Sequence, residues 1–247
     1  MIAVFSGTGN SLSVARRLSA LLGDEIILIG PDNGPAPGSG RIIWVFPVYS
    51  WGLPPVVADF IRRNAPALRG RGHYCVMTCG DDAGLADRRW ARSLRRAGAS
   101  DTRGAWTVVM PNTYVCMKGF DVDPAEVAAR KIERSGARVT EIAAEIAAGS
   151  RKTDVLRGRF AWIKSRVIYP WFVRHAMSPE PFHTVASCVS CGLCARSCPL
   201  HNIRMAGDRP QWGADCTLCL RCYHICPQRA VRYGKATERK GQVRCRI

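Results

Sequence analysis

Residues 2–22 read IAVFSGTGNSLSVARRLSALL, and their order decides the fold of the first half of the chain. The apolar run at 2–5 predicts a short buried strand. The polar, glycine-containing loop SGTGNS follows at 6–11, and then Leu12, Ala15, Leu18 and Leu22 recur at helical spacing. A loop of glycines and hydroxyl residues opening onto a helix presents free backbone N–H groups and the positive end of the helix dipole to an anion. No lysine follows the glycines, which argues against a nucleoside-triphosphate P-loop, and the glycine spacing is not G-x-G-x-x-G.

Working outward, the pattern repeats. EIILIG (25–30) predicts a second strand, RIIWVFPVY (41–49) a third, HYCVMTCG (73–80) a fourth and TVVMPNTY (107–114) a fifth. Helical stretches are expected near 54–64 and 84–97, and a long helix over 123–149 should complete the domain, opened by Asp123-Pro124 and closed at Gly149-Ser150. Apolar runs alternating with amphipathic helices predict an α/β domain with a doubly wound parallel sheet. Ligands of such sheets sit at the carboxyl ends of the strands. The loop PVYSWGLPP (47–55) should bring Tyr49 and Trp51 to that rim, GDDAG (80–84) should reach it after the fourth strand, and Asn112 and Tyr114 after the fifth.

A second signal lies in the other half. CVSCGLCARSCP (188–199) and CTLCLRCYHICP (216–227) are two copies of C-x2-C-x2-C-x3-C-P, with 28 positions between Cys188 and Cys216. Three thiolates at this spacing wrap one face of a 4Fe-4S cubane, and the fourth, before the proline, reaches the other cluster. Crossed ligation assigns Cys188, Cys191, Cys194 and Cys226 to one cluster, and Cys216, Cys219, Cys222 and Cys198 to the second. Tetrahedral zinc needs only four thiolates and leaves half of each run without a task. A disulfide framework needs an oxidising compartment, and the start MIAVFSG carries no charged segment or cleavage site of a secretory signal. The expectation is therefore a cytoplasmic protein. Of the remaining cysteines, Cys75, Cys79 and Cys116 lie in apolar runs and are expected as small buried hydrophobes, whereas Cys245 lies in a basic tail as a candidate exposed thiol.

The paired cysteine motifs resemble the bacterial ferredoxin module with two 4Fe-4S clusters, over residues 182–234. SGTGNS after the first strand resembles the phosphate loop of flavodoxins. The set FSGTGNS, FPVYSWGLPP, MTCG and MPNTY followed by the cysteine motifs is similar, over nearly the whole chain, to ferredoxins carrying an N-terminal flavodoxin-like domain. The resemblance implies that Ser6, Gly7, Thr8, Gly9, Asn10 and Ser11 hold the phosphate of FMN. It also implies that loops 47–52 and 79–84, with Pro47, Tyr49, Trp51, Gly80 and Asp81, line the isoalloxazine. One departure stands out: GDDAG lacks the aromatic that many flavodoxins place on the outer face of the ring, and Tyr49, Trp51 and Tyr114 are the candidates to replace it.

This gives a flavodoxin-like domain at 1–150, a basic aromatic connector at 151–181, a small α+β ferredoxin domain at 182–234 and a basic tail at 235–247. The formal charge of +17 is concentrated late, with 18 Lys and Arg against 5 Asp and Glu in residues 151–247. Such a field favours an acidic redox protein partner, and no motif for reading nucleic acid is present. RKTDVLRGR (151–159) reads as a linker. FAWIKSRVIYPWFVRHAM (160–177) is too interrupted to span a bilayer; packing between the domains is its expected role, with a membrane surface as the second reading.

The expected function is electron transfer between FMN and two 4Fe-4S clusters, joining one-electron and two-electron partners. The alternatives are a flavin-dependent reductase of a small molecule fed by its own clusters, and a flavin-free ferredoxin whose first domain serves for docking. No acid or base for substrate chemistry stands out: His73 begins a strand, and the other histidines lie in the connector and the cysteine-rich part.

Overall fold

The computed structural model describes residues 1–35 and 40–243. Six parallel strands form one sheet: β1 (Ile2–Val4), β2 (Ile26–Leu28), β3 (Arg41–Pro47), β4 (Gly72–Cys79), β5 (Thr102–Val109) and β6 (Thr153–Asp154). Their order is β2-β1-β3-β4-β5-β6. The first five follow 2-1-3-4-5, the doubly wound order of flavodoxin-like sheets, which reverses direction between β1 and β3.

Side chains alternate across the sheet with period two, so each strand feeds both faces. Ile42, Trp44 and Phe46 of β3 enter one core with Phe60 of α2 (Pro55–Arg63), Leu68 of the short α3 (Ala65–Leu68) and Trp90 of α4 (Ala86–Arg96). Ile43 and Val45 enter the other with Leu18 of α1 (Asn10–Leu22) and Val139 and Ile142 of α5 (Ala125–Ala147). His73 belongs to the first layer. Its Nδ1 accepts from Trp44 Nε1 at 3.1 Å, which leaves Nε2–H to donate to the Leu68 carbonyl at 3.0 Å. It is a neutral packing group, and burial holds its pKa below the usual imidazole value. Cys75, Cys79 and Cys116 are buried as expected.

One segment differs from the sequence expectation, and two gain a structure it did not specify. The presumed linker supplies β6, where Thr153 and Asp154 pair with Ala105 and Trp106 of β5; two residues without an apolar run leave no strand signal. The connector is helical from Ala161–Ile163 to Phe172–Ala176 and widens to i→i+5 bonding over Lys164–Ile168 and Phe172–Ala176. Pro170 lies between these turns, lacking an N–H and crowding the preceding turn, which a wider turn accommodates. The tail is tied down as far as it is described: the Tyr223 hydroxyl lies 3.1 Å from the carbonyls of both Lys240 and Gly241, and Gly241 N–H donates to Asp121. Cys245 lies outside the described residues.

The cysteine-rich part contains two small antiparallel sheets, β7 (Phe182–Thr184) with β10 (Val231–Tyr233), and β8 (Ile203–Ala206) with β9 (Arg209–Trp212). Two short helices, Leu193–Arg196 and Arg221–Ile225, contain the third cysteine of each repeat, Cys194 and Cys222. Its core contains Phe182, Ile203, Leu218 and Tyr223, and also takes in Val115 and Cys116 from the loop after β5. The two halves therefore share one apolar cluster.

Candidate metal centre

The two cysteine repeats fold alike. Counting from the first cysteine of each, the residues at +2 (Ser190, Leu218), +4 (Gly192, Leu220) and +13 (His201, Arg229) all have left-handed backbone, with φ between 47° and 68°. Five of these six are not glycine, so each turn is held against a steric penalty by its surroundings. Alternating right- and left-handed residues point successive N–H groups into one concavity, a form that receives anions, iron–sulfur clusters among them.

Two recesses result. One is lined by Cys198, Cys216, Cys219 and Cys222 and holds about 350 Å³ of empty space including its mouth. The other is lined by Cys188, Cys191, Cys194 and Cys226 and holds about 370 Å³. In each, the fourth cysteine comes from the opposite repeat. Burial pushes the Cys219 thiol up to about 12 and raises Cys222 well above the usual thiol value, and Cys198 adds to the rise at Cys216, Cys219 and Cys222. Cys188 and Cys226 act in the same sense on Cys194, where burial is again the main cause. Among the described residues no group of three or more His, Cys, Asp or Glu is arranged to hold a single metal ion; each quartet surrounds a space.

The donor chemistry fits a bulky anionic cluster carrying cations. Four thiolates in a low-dielectric recess need positive charge to replace their protons, and N–H donors already face the sulfurs. Trp212 Nε1 lies 3.4 Å from Cys222 Sγ, and Ala230 N lies 3.3 Å from Cys226 Sγ. Thr217 lines the recess of the second quartet with its hydroxyl buried and unpartnered. Sequence reading missed this residue, because threonine between two cysteines is unremarkable until its surroundings are known.

The second quartet lies against the loop after β1. The Cys219 carbonyl packs directly on Gly7, leaving no room for a methyl group there. Arg221 donates from Nε to the Gly7 carbonyl at 2.7 Å, from Nη2 to the Ser6 carbonyl at 2.6 Å and from Nη1 to the Ser197 carbonyl at 3.1 Å. Nearby, His224 accepts from Val243 N–H at Nδ1, at 3.2 Å, so its Nε2–H donates to the Thr113 carbonyl at 2.8 Å.

The loop itself keeps the features of an anion cradle. Gly9 sits at φ 105° before α1, which has neither a capping side chain nor an acidic residue in its first turn. Gly9 N–H donates to Ser6 Oγ at 3.2 Å, Ser11 Oγ bonds Thr78 Oγ1 at 2.7 Å, and Asn10 Nδ2 donates to the Pro111 carbonyl at 2.9 Å. Thus Ser6, Asn10 and Ser11 brace the loop, while the first-turn N–H groups, capped by no side chain, are the donors an anion there would need. These residues fit the phosphate end of FMN.

At the rim expected to face the ring, the loops after β3 and β4 meet each other and the connector, with Gly84 against Trp51 and Ser165. Pro47 ends β3, and Tyr49 and Gly52 bridge one another across the following turn. The Tyr49 hydroxyl is buried without a partner, and burial raises its pKa well above the usual phenol value, with Cys219 and Cys216 adding to the rise. Trp51 lies under Lys164, whose Nζ is 4.9 Å from the ring centroid. Tyr114 instead packs edge-to-face on Phe120 and Phe172. Gly80 packs under Asn112 and Asp81 is exposed, whereas Asp82 binds Lys164 Nζ at 2.7 Å and anchors the connector.

Comparison with known proteins adds little. No family model matches the chain, and no curated protein matches it. Among solved structures, Streptococcus pneumonia TIGR4 flavodoxin is similar at 18% identity, over 58% of this chain and 95% of that one, with a TM-score of 0.33. At that score the likeness carries no weight, and the fold rests on the strand order. No described helix is long and apolar enough to cross a membrane.

Proposed function

We propose that this chain is an electron-transfer protein that carries two 4Fe-4S clusters in its crossed cysteine quartets and FMN on the loop 6–11. The observation that carries the reading is the seam: Cys219 of the second quartet and the neighbouring Arg221 rest on Gly7 and Ser6 of the loop after β1. A cluster held there lies beside whatever that loop holds. Clusters exchange single electrons and a flavin one or two, so the pair joins carriers of different electron number.

The chain's own residues supply position and tuning. Cys198 and Cys226 tie each cluster to the opposite repeat. Cys191 of the first quartet and its neighbour Val189 are exposed, and Arg196, Arg204 and Arg209 are exposed on the same module. The first cluster is the one a partner reaches, and the basic surroundings suit an acidic redox protein. In the second quartet Cys222 is buried and no cysteine is fully exposed. Thr217 and Tyr49 offer buried hydroxyls on its side, while the residue matching Thr217 in the first repeat is Val189.

A hydrogen bond to a cluster sulfur stabilises the more negative, reduced state. Thr217→Val is therefore expected to lower the second cluster's potential by on the order of 40 mV, one hydrogen bond of about 1 kcal/mol expressed per electron. The first cluster's potential should not move. EPR-monitored redox titration reads both, and two unchanged potentials would show that Thr217 does not face the cluster.

A second reading is favoured by the same seam: with its Ser6 and Gly7 carbonyls taken by Arg221, the first domain serves as a docking base for a ferredoxin without flavin. Acid release of flavin after anaerobic purification and reconstitution separates the two. One flavin per chain supports the first reading, and none with intact clusters supports the second.

A further inference from the structure

We propose that the outer face of the connector helix rests on an anionic lipid bilayer surface. The inner face fixes the helix to the first domain. Ser165 Oγ accepts from Leu85 N–H and donates to the Trp51 carbonyl, both at 2.8 Å. The Tyr169 hydroxyl donates to the Leu53 carbonyl, and the Arg89 guanidinium lies 4.2 Å above the Tyr169 ring. Ser165, Tyr169 and Phe172 are buried as a result, which sets the rotation of the helix.

That rotation turns six large apolar side chains outward. Phe160 is 66% exposed, Trp162 63%, Val167 56% and Trp171 53%, with Ile163 and Ile168 beside them. Ile163, Val167 and Trp171 recur every fourth residue and form one stripe. Exposed Arg159, Arg166 and Arg174 flank it. Between Asp154 and Glu180 the sequence holds five Arg and Lys and no acidic residue.

Interdomain packing, the sequence expectation, accounts for the inner face only. The outer face has the composition of an interfacial helix, with aromatic and aliphatic side chains that enter the acyl boundary and arginines that reach the headgroups. Charge complementarity selects the occupant. With no carboxylate along this stretch to pair with a partner's cations, the surface that matches it is uniformly negative and able to receive protruding apolar groups along the whole helix. An anionic bilayer has both properties.

The test is flotation of the full-length protein with vesicles of phosphatidylglycerol and phosphatidylcholine in equal parts, and with phosphatidylcholine alone. The protein is expected to float with the first at low salt, to be released at about 0.5 M salt, where the Debye length falls to a few ångströms, and to stay unbound with the second. Arg159→Gln, Arg166→Gln and Arg174→Gln together should weaken binding roughly 100-fold, at about 1 kcal/mol per arginine near the surface. Trp162→Ser with Trp171→Ser should abolish it, and circular dichroism and iron content should remain those of the wild type in both variants. Equal binding to the neutral vesicles, no flotation, or flotation unaffected by either variant overturns the proposal. So does a light-scattering mass that falls from dimer to monomer on the tryptophan changes, which would assign the face to a second copy of the chain. The outcome is independent of whether the flavin binds.

Discussion

Replacing Cys198 with alanine is expected to remove the second cluster and leave the first, taking iron from about eight to about four per chain. Cys198 belongs by sequence to the first repeat, so a model in which each repeat holds its own metal predicts the opposite loss. It lines the recess of Cys216, Cys219 and Cys222 and acts on all three thiols. Cys226→Ala should give the mirror result, sparing the second cluster and removing the first. EPR spectra recorded with the iron counts identify which cluster survives. Loss of the first cluster from the Cys198 variant would show that ligation is not crossed.

Gly7→Ala should be the most damaging small change in the first domain. A methyl group at this position meets the Cys219 carbonyl, which is backbone and has no rotamer to change. Either the loop after β1 retreats or the second quartet does, and both are held by the three bonds from Arg221. Overpacking of a rigid contact costs about 3 kcal/mol. The expected result is a lower midpoint in denaturant together with selective loss of iron from the second site, since the added atom acts at the seam. A variant with wild-type stability and both clusters would mean that the two halves do not meet at Gly7.

Much of this was legible from residue patterns. The run 2–22 predicts strand, loop and helix, and the structure has β1, the loop and α1 in those places because an apolar tetrad and a 3.6-residue periodicity leave few other options. The grouping of the cysteines was legible because the two repeats share one spacing: each set of four lines one recess, and the left-handed residues repeat at the same offsets. The seam was not. Arg221 is one of many arginines, and its role depends on two carbonyls more than 200 residues away in sequence. Thr217 and Tyr49 have ordinary identities, and their distinction is a buried hydroxyl without a partner. The connector was half legible: its aromatic residues announced apolar contact, but which of them face inward is set by where Ser165 and Tyr169 find the loops at Trp51 and Leu53.

The most direct measurement is anaerobic purification of the whole chain with iron, acid-labile sulfide and acid-released flavin counted together. The account predicts about eight iron and about eight sulfide, from two 4Fe-4S clusters, with one FMN per chain. Zinc in place of iron, or iron without sulfide after reconstitution, would contradict it, because quartets that surround a space would then be filled by single ions.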